Sequence, residues 1–255
     1  MKKTFAVLLL GLAACVPLPP PAISAAPTPV PADAWVIRNG ALIDGVRAEP
    51  IPAAVVVIRG ERIWAAGAET DFQIDPGVTA VDAGGGTILP GLIDAHTHYT
   101  SPAVIRQVFL QAGVTAVCDT GSSRAVMPYF TDPGSPVLGP AARGFRSGPM
   151  LAPPDAYPGV FFGVNVNYEV SGADAARAAV ADLAGRGADY IKISLADGPD
   201  DGPGLTLAET RAAVAAAHAH GLLARVHARS EAAFRQALEA GADVIEHAPV
   251  PDGAA

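Results

Sequence analysis

The feature that most constrains the fold is an alternation of helical segments and apolar, strand-like runs after Thr87. Four helical segments end at a glycine that comes directly before a new apolar run: Gly113, Gly187, Gly221 and Gly241. Glycine at this position adopts the left-handed conformation that ends a helix without a steric penalty. Strands that alternate with helices form parallel sheets. We therefore expect six parallel strands at 88–95, 114–118, 148–151, 189–194, 222–227 and 243–247.

Polar residues mark where three of the helices begin. Thr206 with Glu209 forms a capping box, Ser171 with Asp174 forms a similar pattern, and Ser230 can cap the helix that follows it. Residues 35–87 have a different pattern, in which short β-like runs are separated by the turn signals Asn39-Gly40, Asp44-Gly45 and Gly60-Glu61. They predict a small β-domain before the parallel unit.

Residues 1–15 have the pattern of an export signal, with Lys2 and Lys3 before an apolar run that is too short to span a bilayer. The ending Leu12-Ala13-Ala14-Cys15 resembles a bacterial lipobox, in which Cys15 is lipidated and Val16 favours sorting to the outer membrane. This predicts a protein of the bacterial cell envelope, lipid-anchored in the outer membrane and facing the periplasm. The alternative is an ordinary secretory signal cleaved near Ser24 to Ala26.

Residues 16–34 are rich in proline and alanine. Proline fixes the φ angle and lacks a backbone donor, so the segment favours an extended, polyproline-like chain. We expect it to act as a tether between the lipid anchor and the folded part.

The charge of the chain argues against nucleic acid as a partner. The formal net charge is −8, and no cluster of Lys or Arg is present that could neutralise phosphates. A small-molecule substrate is the better expectation, and the sequence leaves both a monomer and an oligomer open.

Four histidines lie where predicted strands end: His96 and His98 in GLIDAHTH, His227 in LLARVHA and His247 in ADVIEHA. Residues two apart in a strand project to the same side, so His96 and His98 can bind one metal ion together. Neutral imidazole is a good ligand for zinc and related metals. Each histidine alone could be structural, but four at matching strand ends predict a metal site on the active-site face.

Lys192 lies inside the apolar run ADYIKI, an unusual place for lysine. Burial favours the neutral amine, which can react with carbon dioxide to give a carbamate with two ligand oxygens. The alternative is that Lys192 points outward or pairs with a carboxylate such as Asp189.

The motifs GLIDAHTH, GADYIKI, VHA and GADVIEHA, in this order, resemble the amidohydrolase superfamily, in particular its imidazolonepropionase-like and Xaa-Pro dipeptidase-like members. The resemblance implies the α/β class, with a (β/α)8 TIM-like barrel at 88–255 that is incomplete, at about six βα units, and a preceding β-sandwich portion at 35–87. It implies two divalent metals, expected to be zinc, with His96 and His98 on one, His227 and His247 on the other, and carboxylated Lys192 between them. A metal-bound hydroxide would then hydrolyse a carbon–nitrogen bond of an amide, cyclic amide or dipeptide.

The sequence departs from the family at its C-terminal end. The family takes a further metal-binding Asp from strand eight, which shuttles the proton, whereas Asp252 belongs to the loop after strand six and is a poor substitute. No catalytic residue is therefore identified, and the 255-residue form is expected to be a truncated and inactive fragment that folds poorly alone. The alternative is a lipid-anchored metal-binding or scaffold module without turnover.

Several other residues have weaker signals. His218 and His220 lie in the last turn of a predicted helix, where the helix dipole favours them, and we do not expect them to be ligands. Cys118 and Asp119 end the second strand, and a buried thiol and a turn-capping carboxylate are the better expectations. The aromatic loop 152–172 is long enough to line a pocket, although it could simply cover the third strand.

Overall fold

A computed structural model describes residues 26–131, 134–135, 139–162, 166–195 and 200–247. Cys15 and the predicted signal lie outside these residues, as do Asn165 in the aromatic loop and Asp252. The chain divides into two compact units, Met1–Pro90 and Gly91–Ala255. Within the described residues, no helix combines the length and the apolar character that crossing a membrane requires.

The first unit is built from strands, as the sequence predicts. Its main sheet has the order β4-β3-β2-β6, with β7 also paired to β2, and a second sheet pairs β1 with β5. A short 3-10 helix, Glu69–Asp71, precedes β5. The strands are β1 (Thr28–Pro29), β2 (Trp35–Leu42), β3 (Ile51–Arg59), β4 (Arg62–Ala68), β5 (Phe72–Gln73), β6 (Thr79–Asp82) and β7 (Thr87–Ile88).

Local chemistry accounts for the hairpin between β3 and β4. The register pairs Arg59 with Arg62, which leaves a two-residue loop. Gly60 supplies φ = 59° at its first position, the backbone angle that such a loop requires. Val36, Val55 and Val57 are then buried together in an apolar cluster on this sheet.

Two predicted boundaries need correction. The predicted tether 16–34 extends too far, because Thr28 and Pro29 form β1, and Val30 and Ala34 are buried in the same apolar cluster as β2 and β3. The predicted barrel strand 88–95 begins too early, because Ile88 pairs with Leu42 of β2 and the first strand of the second unit begins at Leu92. In both places the boundary differs from the prediction because apolar side chains of these residues pack in the first unit.

The second unit alternates strands and helices. Its strands are β8 (Leu92–Thr97), β9 (Val114–Asp119), β10 (Gly134–Ser135), β11 (Gly139–Pro140), β12 (Arg143–Arg146), β13 (Met150–Ala152), β14 (Asn167–Glu169), β15 (Tyr190–Ser194), β16 (Leu223–His227) and β17 (Val244–Glu246). Its helices are α1 (Ala103–Gln111), α2 (Gly159–Phe162), α3 (Ala173–Gly185), α4 (Leu207–Ala219) and α5 (Glu231–Ala240), with a 3-10 helix at Arg124–Thr131.

The predicted parallel strands are confirmed, but they form two sheets, with the orders β12-β9-β8 and β14-β13-β15-β16-β17. The division falls within the predicted third strand: β12 pairs with β9, and β13 pairs with β15 through Leu151 and Ile193. Between them Gly148 has φ = 71°, and a Cβ there would lie 2.8 Å from the sulfur of Met127. The prediction, 148–151, thus covered only the second half of this strand.

The predicted helix ends are confirmed, and two of the three predicted starts are. Gly113, Gly187, Gly221 and Gly241 all have positive φ. Thr206 and Glu209 form the capping box of α4, and Ser230 caps α5. The prediction for Ser171 was wrong. The N-cap of α3 is Gly172, whose backbone N–H donates to the Glu209 carboxylate at 2.6 Å.

The core of the second unit lies between the parallel strands and the helices. Ile191 and Ile193 of β15 and Val226 of β16 are fully buried against Leu183 of α3 and Val214 of α4. Their alternate neighbours, Tyr190, Lys192, Arg225 and His227, project to the opposite face of the sheet. Arg225 of β16 donates a hydrogen bond to the carbonyl of Ala95 in β8, so the two parallel sheets curve towards each other and β16 contacts β8.

Candidate active site

Four of the five predicted ligand residues lie at or next to the carboxyl ends of strands in the second unit, and the fifth, Lys192, is the central residue of β15. His96 is the second-last residue of β8 and His98 follows that strand, His227 ends β16, and His247 follows β17. In barrel folds this edge, formed by the carboxyl ends of the strands, carries the active site.

The structure brings the four imidazole rings together. The ring centroid of His96 lies 5.2 Å from that of His98 and 5.0 Å from that of His247. The ring centroids of His227 and His247 are 4.8 Å apart, and Nδ1 of His227 lies 3.1 Å from Nε2 of His247. Four histidines far apart in sequence thus form one cluster, while their role as metal ligands stays a prediction.

The backbone at His247 allows this residue to join the cluster. Alternation along a strand would point Glu246 and His247 to opposite faces, yet both contact His96. His247 has φ = 72°, in the left-handed region that residues other than glycine rarely adopt. The left-handed residue at the end of β17 turns the imidazole back towards the other strand ends.

Lys192 is fully buried and faces the interior between the strands. Its Nζ has no hydrogen-bond partner in the described structure, and the nearest carboxylate oxygen is Glu246 Oε1 at 3.5 Å. Burial lowers the pKa of Lys192 to about 7, an effect that Glu246 opposes and Arg225 reinforces. The alternative that Lys192 pairs with a carboxylate is thus seen, but the partner is Glu246 and not Asp189, which accepts a hydrogen bond from the backbone N–H of Arg146. Because its pKa is about 7, much of the Lys192 amine is neutral near pH 7.

Glu246 is the main residue that the sequence reasoning missed. Its Oε2 lies 2.7 Å from His96 Nδ1, and its Oε1 accepts a hydrogen bond from Arg225 Nε at 2.7 Å. Burial tends to raise the pKa of Glu246, but the hydrogen bond with His96 and the charges of Lys192 and Arg225 outweigh it and hold the pKa far below its usual range. The strand alternation through Val244 and Glu246 could have revealed this inward carboxylate.

Arg225 and Tyr190 complete the layer beneath the histidines. The Arg225 guanidinium lies 4.7 Å from the centroid of the Tyr190 ring, and the Tyr190 hydroxyl donates to the carbonyl of Asp119 at 2.7 Å. Burial raises the pKa of Tyr190 well above its usual range. Its hydroxyl therefore stays protonated and serves as a donor.

Asp119 fixes the segment that carries His98. Its Oδ2 accepts hydrogen bonds from the backbone N–H and the hydroxyl of Thr100, at 2.9 and 3.0 Å. Burial raises the pKa of Asp119 despite these bonds. The position agrees with a capping carboxylate. The expectation of a buried thiol at its neighbour Cys118 was wrong, because this free thiol is only partly buried.

Burial also affects the imidazoles themselves. It lowers the pKa of both His98 and His247, and the nearby charge of His96 adds to the effect. Both rings are therefore held in the neutral form, which is the form that binds metal ions. His218, in contrast, lies outside the cluster and pairs with Asp243 at 2.9 Å, as expected for a residue that is not a ligand.

The histidine cluster has the donor atoms of a metal site, but its side chains are not in the positions that would bind an ion. Among the residues described, no three His, Cys, Asp or Glu side chains are arranged to hold one ion. The separation of 3.1 Å between His227 and His247 nitrogens is nevertheless close to the value of about 3.3 Å for two imidazoles on one tetrahedral zinc ion. The donor types and the buried Lys192 amine without a hydrogen bond also fit the predicted centre.

The aromatic loop contributes a cavity beside the histidines. Tyr157 stacks on His227 with 4.7 Å between ring centroids and 28° between planes. A cavity of about 190 Å³ lies between this loop and His98. Asn167 and Tyr168 turn to other partners, the carbonyl of Ala156 and the guanidinium of Arg124.

Comparison with known proteins identifies relatives of this chain. An adenine deaminase from Rubrobacter xylanophilus is 35% identical over 77 residues, which cover 30% of this chain and 13% of that protein. An imidazolonepropionase from Anaeromyxobacter dehalogenans is 36% identical over 75 residues, 27% of this chain and 18% of that protein.

Solved structures share the fold over most of the chain. A Xaa-Pro dipeptidase with bound methionine has a TM-score of 0.69 and 27% identity, over 84% of this chain and 61% of that chain. A putative prolidase from Bifidobacterium longum has a TM-score of 0.70 and 24% identity, over 85% and 54%, and shows the fold alone. This chain thus spans about three fifths of such structures.

The family assignment depends on the second unit. The sequence pattern of the amidohydrolase family matches residues 87–255, the segment that carries the parallel strands and all five predicted ligand residues. The chain belongs to the amidohydrolase family.

Proposed function

We propose that this chain is part of a metal-dependent hydrolase that acts on a carbon–nitrogen bond of a small molecule. The observation that carries the proposal is the meeting of four imidazoles and one buried lysine at the carboxyl ends of parallel strands. The similarity to an adenine deaminase, an imidazolonepropionase and a Xaa-Pro dipeptidase supports it.

In this proposal His96 and His98 hold one zinc ion and His227 and His247 hold a second. Lys192, carboxylated by carbon dioxide, lies between the two pairs. The cations, when bound, lower the pKa of a water molecule and polarise the substrate carbonyl. The buried, partly neutral amine of Lys192 and the lowered pKa of His98 and His247 favour the ligand forms of these residues.

Glu246 is a positioning residue in this scheme. Its carboxylate accepts a hydrogen bond from His96 Nδ1, so the lone pair of this imidazole lies on Nε2. A carboxylate that holds a ligand histidine in one tautomer is a frequent feature of metal sites. The expected lipid anchor at Cys15 and the location in the cell envelope stay predictions from the leader sequence.

The metal ligands can be tested by zinc content. We expect about two zinc ions per chain, and the loss of one ion in each of the paired variants His96→Ala/His98→Ala and His227→Ala/His247→Ala. Elemental analysis after dialysis measures the content. His218→Ala is the matched control and should keep both ions, because His218 pairs with Asp243 outside the cluster. Equal loss in the control, or no loss in either pair, would contradict the assignment.

The carbamate can be tested because the chain has three lysines, Lys2, Lys3 and Lys192. With ¹³C-labelled carbon dioxide and zinc, we expect one carbamate resonance by NMR. At constant carbon dioxide pressure it should grow from pH 6 to pH 8, since the neutral amine increases as the pH rises through the pKa of about 7. Lys192→Met should abolish the resonance, and Lys2→Arg/Lys3→Arg should retain it. A signal that survives Lys192→Met would refute the carbamate at this residue.

The role of Glu246 can be tested by the substitution Glu246→Gln. Without this anion, the buried Arg225 guanidinium loses its ion pair with Glu246, so the free energy of unfolding in urea should fall by about 3 kcal/mol. Zinc affinity should fall by roughly 10-fold or more, because the His96 tautomer is no longer fixed. Glu231→Gln removes an exposed pair with Arg235 and should change stability by less than about 1 kcal/mol. Equal effects of the two variants would contradict this role.

Hydrolysis is tested on zinc-loaded protein in bicarbonate buffer. The substrates are blocked dipeptides, lactams, imidazolones and adenine, with products measured by mass spectrometry. We expect the 255-residue form to bind zinc without turnover, and a chain that also carries the family's strand-eight Asp to convert at least one class, with the activity lost on chelation and in His96→Ala/His98→Ala. A chain with that Asp that binds zinc but converts none of these compounds would favour the alternative, a metal-binding module without turnover.

A further inference from the structure

The cavity beside His98 is the feature of the second unit that the proposed metal chemistry does not use. It encloses about 190 Å³, whereas a cavity of about 150 Å³ accommodates benzene. The space therefore fits one aromatic ring with its attachment carbon.

The walls of the cavity are apolar and aromatic. The rings of Tyr99, Tyr157 and Phe162 and the thioether of Met150 surround it, and none of its described lining residues is Asp, Glu, Lys or Arg. Met150 is buried, whereas Tyr99 and Phe162 are exposed by 68% and 58%. Exposed aromatic groups at the entrance and a buried thioether inside are suited to cover an apolar ring.

The cavity adjoins the histidine cluster through two residues. His98 forms part of its wall, and Tyr157, which also lines the cavity, stacks on His227. A substrate whose reacting carbonyl lies among the histidines would thus place a neighbouring side group in this cavity.

Gly121 and Met150 also limit the size of the cavity. Gly121 lines it, and a Cβ at this position would lie 2.4 Å from Met150 Cε. Any larger residue at position 121 would therefore clash with Met150, which also lines the cavity. Glycine here keeps the cavity open.

We infer that this cavity is a specificity subsite that takes an uncharged aromatic side group of the substrate. The inference rests on the proposed function for the position of the scissile bond. A carboxylate or ammonium group in the cavity would lose its hydration and find no oppositely charged side chain among the described lining residues, so charged side groups are selected against.

Binding of substrate-like probes tests the subsite without turnover. The probes are the methylamides of N-acetylphenylalanine, N-acetylaspartate and N-acetyllysine, titrated into the full chain by calorimetry or ligand-observed NMR. The phenylalanine probe should bind at least 10-fold more tightly than either charged probe. Equal affinities for the three probes would overturn the subsite.

A matched pair of variants locates the binding. Phe161 and Phe162 are neighbours in α2, exposed by 55% and 58%, but of the two only Phe162 lines the cavity. Phe162→Ala should weaken binding of the phenylalanine probe by about 10-fold, and Phe161→Ala should weaken it by less than about 2-fold. Equal weakening would place the probe elsewhere and overturn the inference.

The same titrations with zinc-free protein, prepared by dialysis against a chelator, separate this inference from the proposed function. Aromatic preference that persists in protein without zinc or turnover would support the subsite even where the hydrolase proposal fails. Zinc-dependent hydrolysis with no preference among phenylalanine, aspartate and lysine substrates would support the hydrolase and overturn the subsite.

Discussion

The carboxylate of Glu246 is the one negative charge on which the interior beneath the histidine cluster depends. It lies within 3.5 Å of the Lys192 amine and accepts a hydrogen bond from Arg225. Two cationic side chains without such a partner would each cost several kcal/mol to bury. The same carboxylate contacts His96. The stability of the strand ends and the orientation of a predicted ligand therefore depend on a single side chain.

Local signals explain why much of this fold could be predicted from sequence. Gly221 and Gly241 end their helices through their own backbone angles, and Thr206 and Glu209 are neighbours in the same turn. The four strand-end histidines were predictable for a related reason, because parallel strands in chain order bring their carboxyl ends together. Chain order alone was enough to place His227 beside His247.

The features that the sequence did not reveal depend on contacts between distant segments. Gly172 replaces Ser171 as the cap of α3 because Glu209, from the next helix, reaches its backbone N–H. The third strand breaks where Gly148 packs against Met127. Glu246 was overlooked because its neighbour His247 carries the more obvious signal, and only the curvature that brings β8 near β16 and β17 shows what its carboxylate contacts.

Glu246 and His247 show how one short strand serves both stability and chemistry. Pairing of Glu246 with His227 in the register of β16 and β17 fixes the inward position of the carboxylate. A strand that simply continued would then turn His247 away from the cluster. The left-handed conformation of His247, which costs a non-glycine residue about 1–2 kcal/mol, reverses this direction. Glycine would remove that cost, so the presence of an imidazole at this position is better explained by its place among the other histidines than by the stability of the turn.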